Sequence, residues 1–279
     1  MVVRMRTCGE AWSNAFGPGL AYASGARFVV VALLATVVGC SDGPAAPASQ
    51  PEATSAAQSA LIGTDGALTV NAANTVLNQY AVLGANAAVG ATSLTVTNIA
   101  DLTSATYGAL AAGDLILVVQ MQGATIDSTN TATYGAVTAF NGAGNYELIG
   151  VAGVSGNVVQ LDPTGGGLKN AYTTAGHTQV VRIPQLSSLT VNAGASIVPT
   201  AWDGTRGGVV AVHVTGTAAI QGTVDASGAG FRGGVVDNNS NGPGSNTTVY
   251  RSASSNDGAE KGESIAGFQT EYDALNGRY

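Results

Sequence analysis

Charge is scarce in this chain. Only 10% of its 279 residues are Asp, Glu, Lys or Arg, where soluble domains carry about 25%, and lysine is confined to Lys169 and Lys261. Phosphate recognition needs basic residues, so a Lys-poor chain of net charge −7 is excluded as a nucleic-acid binder. Cysteine is almost missing. Cys8 and Cys40 both fall near the start of the chain, which leaves the rest no internal disulfide and no Cys-based zinc site. The apolar run from Phe28 to Val38, FVVVALLATVV, falls well short of the roughly 20 residues that a membrane-spanning helix needs. The Leu/Glu/Lys/Arg mixture of a helical bundle is lacking as well. No P-loop, HExxH or nucleophile motif occurs.

Small and β-branched residues fill the space instead. Gly contributes 39 residues, about twice the usual share, and Ala, Val, Thr and Asn are plentiful. Such residues suit pleated, half-buried strands joined by tight corners. The expected fold class is all-β.

The run Phe28–Val38 follows Arg27 and ends in Val37-Val38-Gly39-Cys40. It reads as the apolar core of a signal peptide, although the stretch ahead of it is long for one. The last four residues resemble the lipobox of bacterial lipoproteins. That resemblance implies cleavage before Cys40 and a diacylglycerol on its thiol. The alternative is a buried strand or helix beside a free cysteine. Removal of residues 1–39, with Arg4, Arg6, Arg27 and Glu10, leaves a mature chain of net charge near −9. Residues 40–65 open with a Pro/Ala/Ser-rich stretch that buries little apolar surface and reads as a disordered tether. The acyl chains add about 0.8 kcal/mol per buried CH₂, enough in combination for a stable membrane anchor in the cell envelope, at the outer membrane or cell surface.

From 66 to 186, short strand patterns recur between Gly, Asn and Asp corners. Ser93–Thr97 alternates cleanly, and Leu115–Val119 is a continuous apolar run that reads as a fully buried strand. This spacing predicts a small antiparallel barrel or sandwich. His177 reads as a turn or edge residue, and Tyr134, Tyr146 and Tyr172 as core aromatics or as a stacking surface for a glycan.

Residues 187–234 carry a repeat. Leu189–Ile197 aligns with Val212–Ile220, placing Val191 on Val214 and Ile197 on Ile220. A period in the twenties built of short strands and corners marks stacked coils, here the start of a parallel β-helix. His213, between Val212 and Val214, is expected to face solvent. Residues 235–279 read as a Gly/Asn-rich loop region.

Several segments together resemble one family. They are Gly113–Ile126, Gly144-Asn-Tyr-Glu147, Tyr172–Arg182, Ala201–Gly208 and Gly228–Gly234. They are similar to the N-terminal part of large Gly-rich surface proteins of gliding bacteria, of the gliding-motility-associated or adventurous-gliding type. The resemblance covers roughly residues 75–279. It implies a structural, adhesive or motility-associated role at the cell surface, no catalytic residue, and further Gly-rich sequence and domains beyond Tyr279.

Two clusters invite chemistry. Asp203 and Asp225 are separated by close to one expected coil, and paired carboxylates serve polysaccharide-cleaving enzymes; both also fit ordinary turns. Asp237, Asn239 and Asn241 match the front half of an oxygen-ligand calcium loop, but Thr248 stands where the bidentate Glu belongs. Calcium is the single cofactor this pattern admits, and weakly held. The sequence therefore predicts a lipid-anchored surface protein without catalysis. A β-helical polysaccharide-active enzyme and a passive glycan-binding module are the alternatives.

Overall fold

The computed structural model describes residues 28–33, 64–129, 131–234 and 262–268. Cys40, most of the tether and the calcium candidates Asp237, Asn239 and Asn241 lie outside the described residues. The described residues form these strands: β1 (Phe28–Leu33), β2 (Ala67–Val70), β3 (Gln79–Val82), β4 (Ser93–Thr95), β5 (Leu115–Gln120), β6 (Thr125–Ile126), β7 (Val137–Ala139), β8 (Tyr146–Ser155), β9 (Val158–Leu161), β10 (Thr178–Ile183), β11 (Gln185–Leu186), β12 (Ser188–Val191), β13 (Ser196–Ile197), β14 (Val209–Val214), β15 (Ala218–Ile220) and β16 (Thr223–Val224). Short 3₁₀ turns at Ile99–Leu102 and Pro163–Gly165 accompany them. Among the described residues, no helix is long and apolar enough to cross a membrane. The fold is all-β, as the composition predicts.

Six strands form an antiparallel sheet in the order β3-β10-β5-β8-β9-β4. Its two edges meet where Leu83 bridges Val96. There the Gly84 N–H donates to the Thr95 carbonyl at 2.7 Å and the Thr97 N–H to the Val82 carbonyl at 2.9 Å. The sheet thus curls into a small barrel. Ile116 and Val118 of β5 point into it, against Leu94, Val159 and Val180. Their neighbours Leu115, Leu117 and Val119 point out, yet they are equally buried because Val209 and Ala211 of β14 cover them. Burial on both faces is why β5 reads as an unbroken apolar run.

The other strands stack in parallel. β2, β12 and β15 form one sheet, β13 pairs with β16, and β11 pairs with β14. Thr75 bridges Ile197 in the same sense. These are three successive rungs of a β-solenoid, with Val70, Leu186, Val191, Ile197 and Val212 in its core. The first rung lies before the barrel in sequence and the second after it. The barrel is therefore an insertion between rungs, and the boundary expected at 186 is revised: Ala67–Val70 and Gln185–Leu186 belong to the solenoid.

The coil is also longer than the sequence repeat implies. Val191 lies opposite Ile220, not Val214, and Ile197 lies opposite Val224, not Ile220. Val214 pairs with Leu186 instead. The cause is the excursion through 201–208, which lengthens the turn. Both corrections move the partner by an even number of positions, so the inward-facing set is retained. Two glycines set the spacing between rungs. A Cβ at Gly216 would lie 2.4 Å from the Ser187 carbonyl oxygen, and one at Gly222 would lie 2.2 Å from that of Ala195.

Side-chain amides stitch barrel to solenoid. Asn78 donates to the carbonyls of Arg182 (2.9 Å) and Ala211 (2.6 Å), and its oxygen accepts from the Ala211 N–H at 3.0 Å. Gln179 makes the equivalent reciprocal pair with Gly207, at 2.9 and 2.8 Å. The Tyr80 hydroxyl donates to the Val209 carbonyl at 2.6 Å. His213 alternates away from the solenoid core as expected, but it is buried at 1% exposure. The solvent-facing expectation is wrong because the barrel packs on the outer face of β14. The far edge of β14 is taken by β1, antiparallel, with Phe28 opposite Val214 and Leu33 opposite Val209. Residues 28–33 of the apolar run read as an export signal thus occupy a sheet edge.

Candidate functional site

One end of the barrel is organised by Gln120, the last residue of β5, which is 1% exposed. Its amide nitrogen donates to the carbonyls of Gln122 and Asn141, both at 2.9 Å. Its oxygen accepts from the Thr173 N–H at 3.0 Å. One side chain therefore ties together three loops. Gly176 is required for this approach, because a Cβ there would lie 2.3 Å from the Gln120 amide.

The chain then turns into β10 through His177, whose φ of 47° is left-handed. Non-glycine residues adopt that region at a cost, and such strain gathers at functional positions. The His177 ring lies 6.5 Å from that of Trp202, which in turn meets Phe231 edge-on at 5.7 Å.

Trp202 is buried, and its indole N–H donates to Glu263 Oε2 at 2.9 Å. The same oxygen accepts from Arg232 Nε at 2.9 Å, and Glu263 Oε1 accepts from Gln122 Nε2 at 2.8 Å. Burial pushes the Glu263 carboxyl up. The hydrogen bonds from Arg232, Trp202 and Gln122 outweigh it and hold the group below its usual range. Glu263 thereby pins the segment 262–268 across the barrel end, where the Ala124 N–H also donates to the Ile265 carbonyl at 3.1 Å.

These elements enclose a cleft of about 470 Å³, lined among others by Gln122, Thr125, Ser128, Ala175, His177 and Ala266. Among the described residues, no carboxylate, lysine or arginine lines it. Two of its lining residues, Gln122 through Oε1 and His177 through Nδ1, carry a buried polar atom with no hydrogen-bond partner. Asp127, next to Ser128, accepts hydrogen bonds from Thr129 and Thr133, which hold its carboxyl below the usual range. Asn141 donates to the Gly123 carbonyl and to Thr125 Oγ1, and its neighbour Phe140 is exposed.

The sequence candidates fare unevenly. Asp203 receives the Thr205 hydroxyl and N–H and the Arg206 N–H, and Asp225 receives the Ser227 N–H. Burial raises the Asp203 carboxyl, but these bonds bring it below its ordinary value; the Ser227 bonds lower Asp225. Both serve turns. The rung register places Asp225 just beyond the Ile197–Val224 pair, so it is not brought opposite Asp203. Tyr146 is exposed and Tyr134 half-buried, whereas Tyr172 is completely buried in the barrel and cannot belong to a stacking surface. Among the described residues, no group of three or more His, Cys, Asp or Glu side chains is placed to hold a metal ion. Gln122, Trp202 and Glu263 carried no sequence signal as a site, because the contacts joining them span 61 to 141 residues.

No protein-family model matches the chain, and no curated protein matches it. Among solved structures, it is similar to the tailspike gp61 of Pseudomonas phage phi297, at 14% identity and a TM-score of 0.26, over 58% of this chain and 23% of that one. It is also similar to the Gp54 tailspike of Acinetobacter baumannii bacteriophage AP22, solved in complex with A. baumannii capsular saccharide. That match has 11% identity and a TM-score of 0.26, over 57% of this chain and 24% of the other. The chain thus spans about a quarter of the length of the tailspikes it matches.

Proposed function

We propose that this chain is a lipid-anchored bacterial envelope protein, held through Cys40, whose β-solenoid and inserted barrel serve a structural or adhesive role at the cell surface, in the manner of gliding-motility-associated proteins. The observation that carries the reading is the parallel stack. Three rungs bury one another's inward faces, and a stack of this kind presents a regular surface to the outside. Ile220 and Val224, on the last described rung, remain 38% and 41% exposed, apolar area of the kind that contacts use. The lipobox-like Val37–Cys40 and the Pro/Ala/Ser tether supply the attachment. Cleavage before Cys40 would take β1 from the edge of β14, so anchoring and the exposure of that edge are coupled in this reading.

The test compares the wild-type chain with Cys40→Ser in bacterial cells, by membrane fractionation and by retention of cells on a polysaccharide-coated surface. The expected result is release of the variant from the membrane fraction and loss of its contribution to retention. A variant that stays in the membrane fraction contradicts the anchor; an anchored wild type that leaves retention unchanged contradicts the adhesive role.

A further inference from the structure

We propose that the edge of β14 occupied by Phe28–Leu33 is a strand-acceptor site. In the unprocessed chain these residues close it. Once residues 1–39 are gone, an uncharged, β-branched strand of another polypeptide closes it, running antiparallel to β14. The second step rests on the cleavage before Cys40 put forward above.

The backbone accounting defines the site. Along a strand, successive residues direct their N–H and carbonyl groups to opposite sides. In β14 the odd-numbered residues direct theirs to the β11 side. The Ala211 N–H donates to Asn78 Oδ1 at 3.0 Å, the His213 N–H to the Pro184 carbonyl at 2.9 Å, and the Thr215 N–H to the Leu186 carbonyl at 2.9 Å. The carbonyls of Val209 and Ala211 accept from the Tyr80 hydroxyl and the Asn78 amide. The groups of Val210, Val212 and Val214 therefore point to the other edge, where Ala32, Val30 and Phe28 stand opposite them. Loss of residues 1–39 takes those partners away and leaves the edge to be paired again.

Nothing in β14 discourages such pairing. Natural edge strands are blunted by lysine, proline or a bulge. The sequence VVAVHV has no lysine, proline or acid, and its six-residue register with β1 is unbroken. β1 is also no rung of the solenoid. It runs antiparallel, whereas β2, β11, β12, β13, β15 and β16 pair in parallel.

The two faces of β14 set the chemistry of the occupant. Val210, Val212 and Val214 belong to the solenoid core, and Val209 and Ala211 pack with the barrel strands. A strand added beside β14 continues that layer. A run apolar on both faces fits there, and one that alternates with charged residues does not. The sequence FVVVAL of β1 is such an unbroken run. Affinity comes from the main-chain ladder and selectivity from the apolar faces.

The test uses the full chain carrying Cys40→Ser and a protease site inserted within residues 40–63, purified uncut. Part is then cut and freed of its N-terminal fragment, with thermal unfolding confirming that it stays folded. The probe is a fluorescent peptide of residues Arg27–Leu34 with added terminal lysines, followed by anisotropy. The expected result is binding to the cut chain, weaker by about tenfold or more in the uncut chain, where tethered β1 competes at high effective concentration. The peptide should slow amide exchange at Val210, Val212 and Val214 in the cut wild-type chain. Val212→Pro removes one edge N–H, leaves those of Ala211 and His213 in place, and is expected to weaken the peptide by a similar factor. Absence of binding, equal binding to cut and uncut chains, or protection elsewhere overturns the acceptor site. A cut chain that dimerises with protection of the same three amides, and excludes the peptide, overturns the foreign strand in favour of a second copy. Because the protease makes the cut here, each of these results leaves the Cys40 anchor to be decided by membrane fractionation.

Discussion

The indole N–H of Trp202 donates to Glu263 Oε2 at 2.9 Å, joining a loop of the solenoid to a segment 61 residues further on. That carboxylate also takes Arg232 and Gln122, so one buried acid fixes three parts of the chain. Hydrogen bonds to a charged group contribute about 1.5–3 kcal/mol each in favourable settings. Because Arg232 is 45% exposed, its share is discounted for solvent screening. Glu263→Ala is expected to destabilise the protein by about 2–3 kcal/mol, chiefly by orphaning the Trp202 and Gln122 donors, and Glu263→Gln by less. Urea unfolding at neutral pH checks this.

The same group sets a pH dependence. Its folded-state pKa lies below the ordinary glutamate value of 4.5, so its stabilisation is present above about 4.5 and is lost as pH falls through the folded value. The wild-type chain should lose stability on acidification from about pH 5 more steeply than Glu263→Gln. Denaturant midpoints measured at about pH 7, 5 and 3 test the difference; parallel curves for the two proteins would show that another group governs the acid response.

Asn78 joins the barrel to the solenoid through both backbone groups of Ala211. Its replacement by Leu leaves the Ala211 N–H and carbonyl without those partners inside the protein, at about 1–3 kcal/mol each. The expected outcome is a destabilised junction, visible as faster amide hydrogen exchange at Ala211 and Val212 than at Ile116 and Val118 inside the barrel. Equal acceleration everywhere would mean that barrel and solenoid unfold as one unit.

Gly222 lies where one rung passes over the next. Gly222→Ala forces a Cβ to within 2.2 Å of the Ala195 carbonyl oxygen, a backbone contact with no rotamer to yield. The expected loss is about 1–3 kcal/mol from overpacking, seen as a lower thermal midpoint. Gly194, where nothing lies within 4 Å of a built Cβ but φ is +83°, supplies the contrast. There an alanine is opposed by backbone conformation alone, at about 1–2 kcal/mol.

Much of the fold was legible in the sequence. Alternation at Ser93–Thr97 and the unbroken run Leu115–Val119 marked a half-buried and a fully buried strand, and both regions form strands. The inward valines of the coil were legible too, because their period of two survives any even shift of register. Coil length was not. It depends on the length of the 201–208 turn, which leaves no mark in a pattern of Val-x-Val. Nor was the first rung, since Ala67–Val70 pairs with Ser188–Val191 across the entire barrel. The site was the least legible part. Gln122, His177 and Glu263 come from separate regions, and an isolated His between Gly176 and Thr178 carries no sign of the φ it adopts. The carboxylates that drew attention, Asp203 and Asp225, are engaged in their own turns.

Envelope anchoring depends on whether residues 1–39 leave the protein. Mass spectrometry of the N-terminal peptide, from chain extracted out of bacterial membranes, decides this most directly. The predicted result is a mature N-terminus at Cys40 whose mass includes a thioether-linked diacylglycerol. A mature chain that still begins ahead of Phe28, with an unmodified Cys40 and Phe28–Leu33 retained against β14, would contradict it.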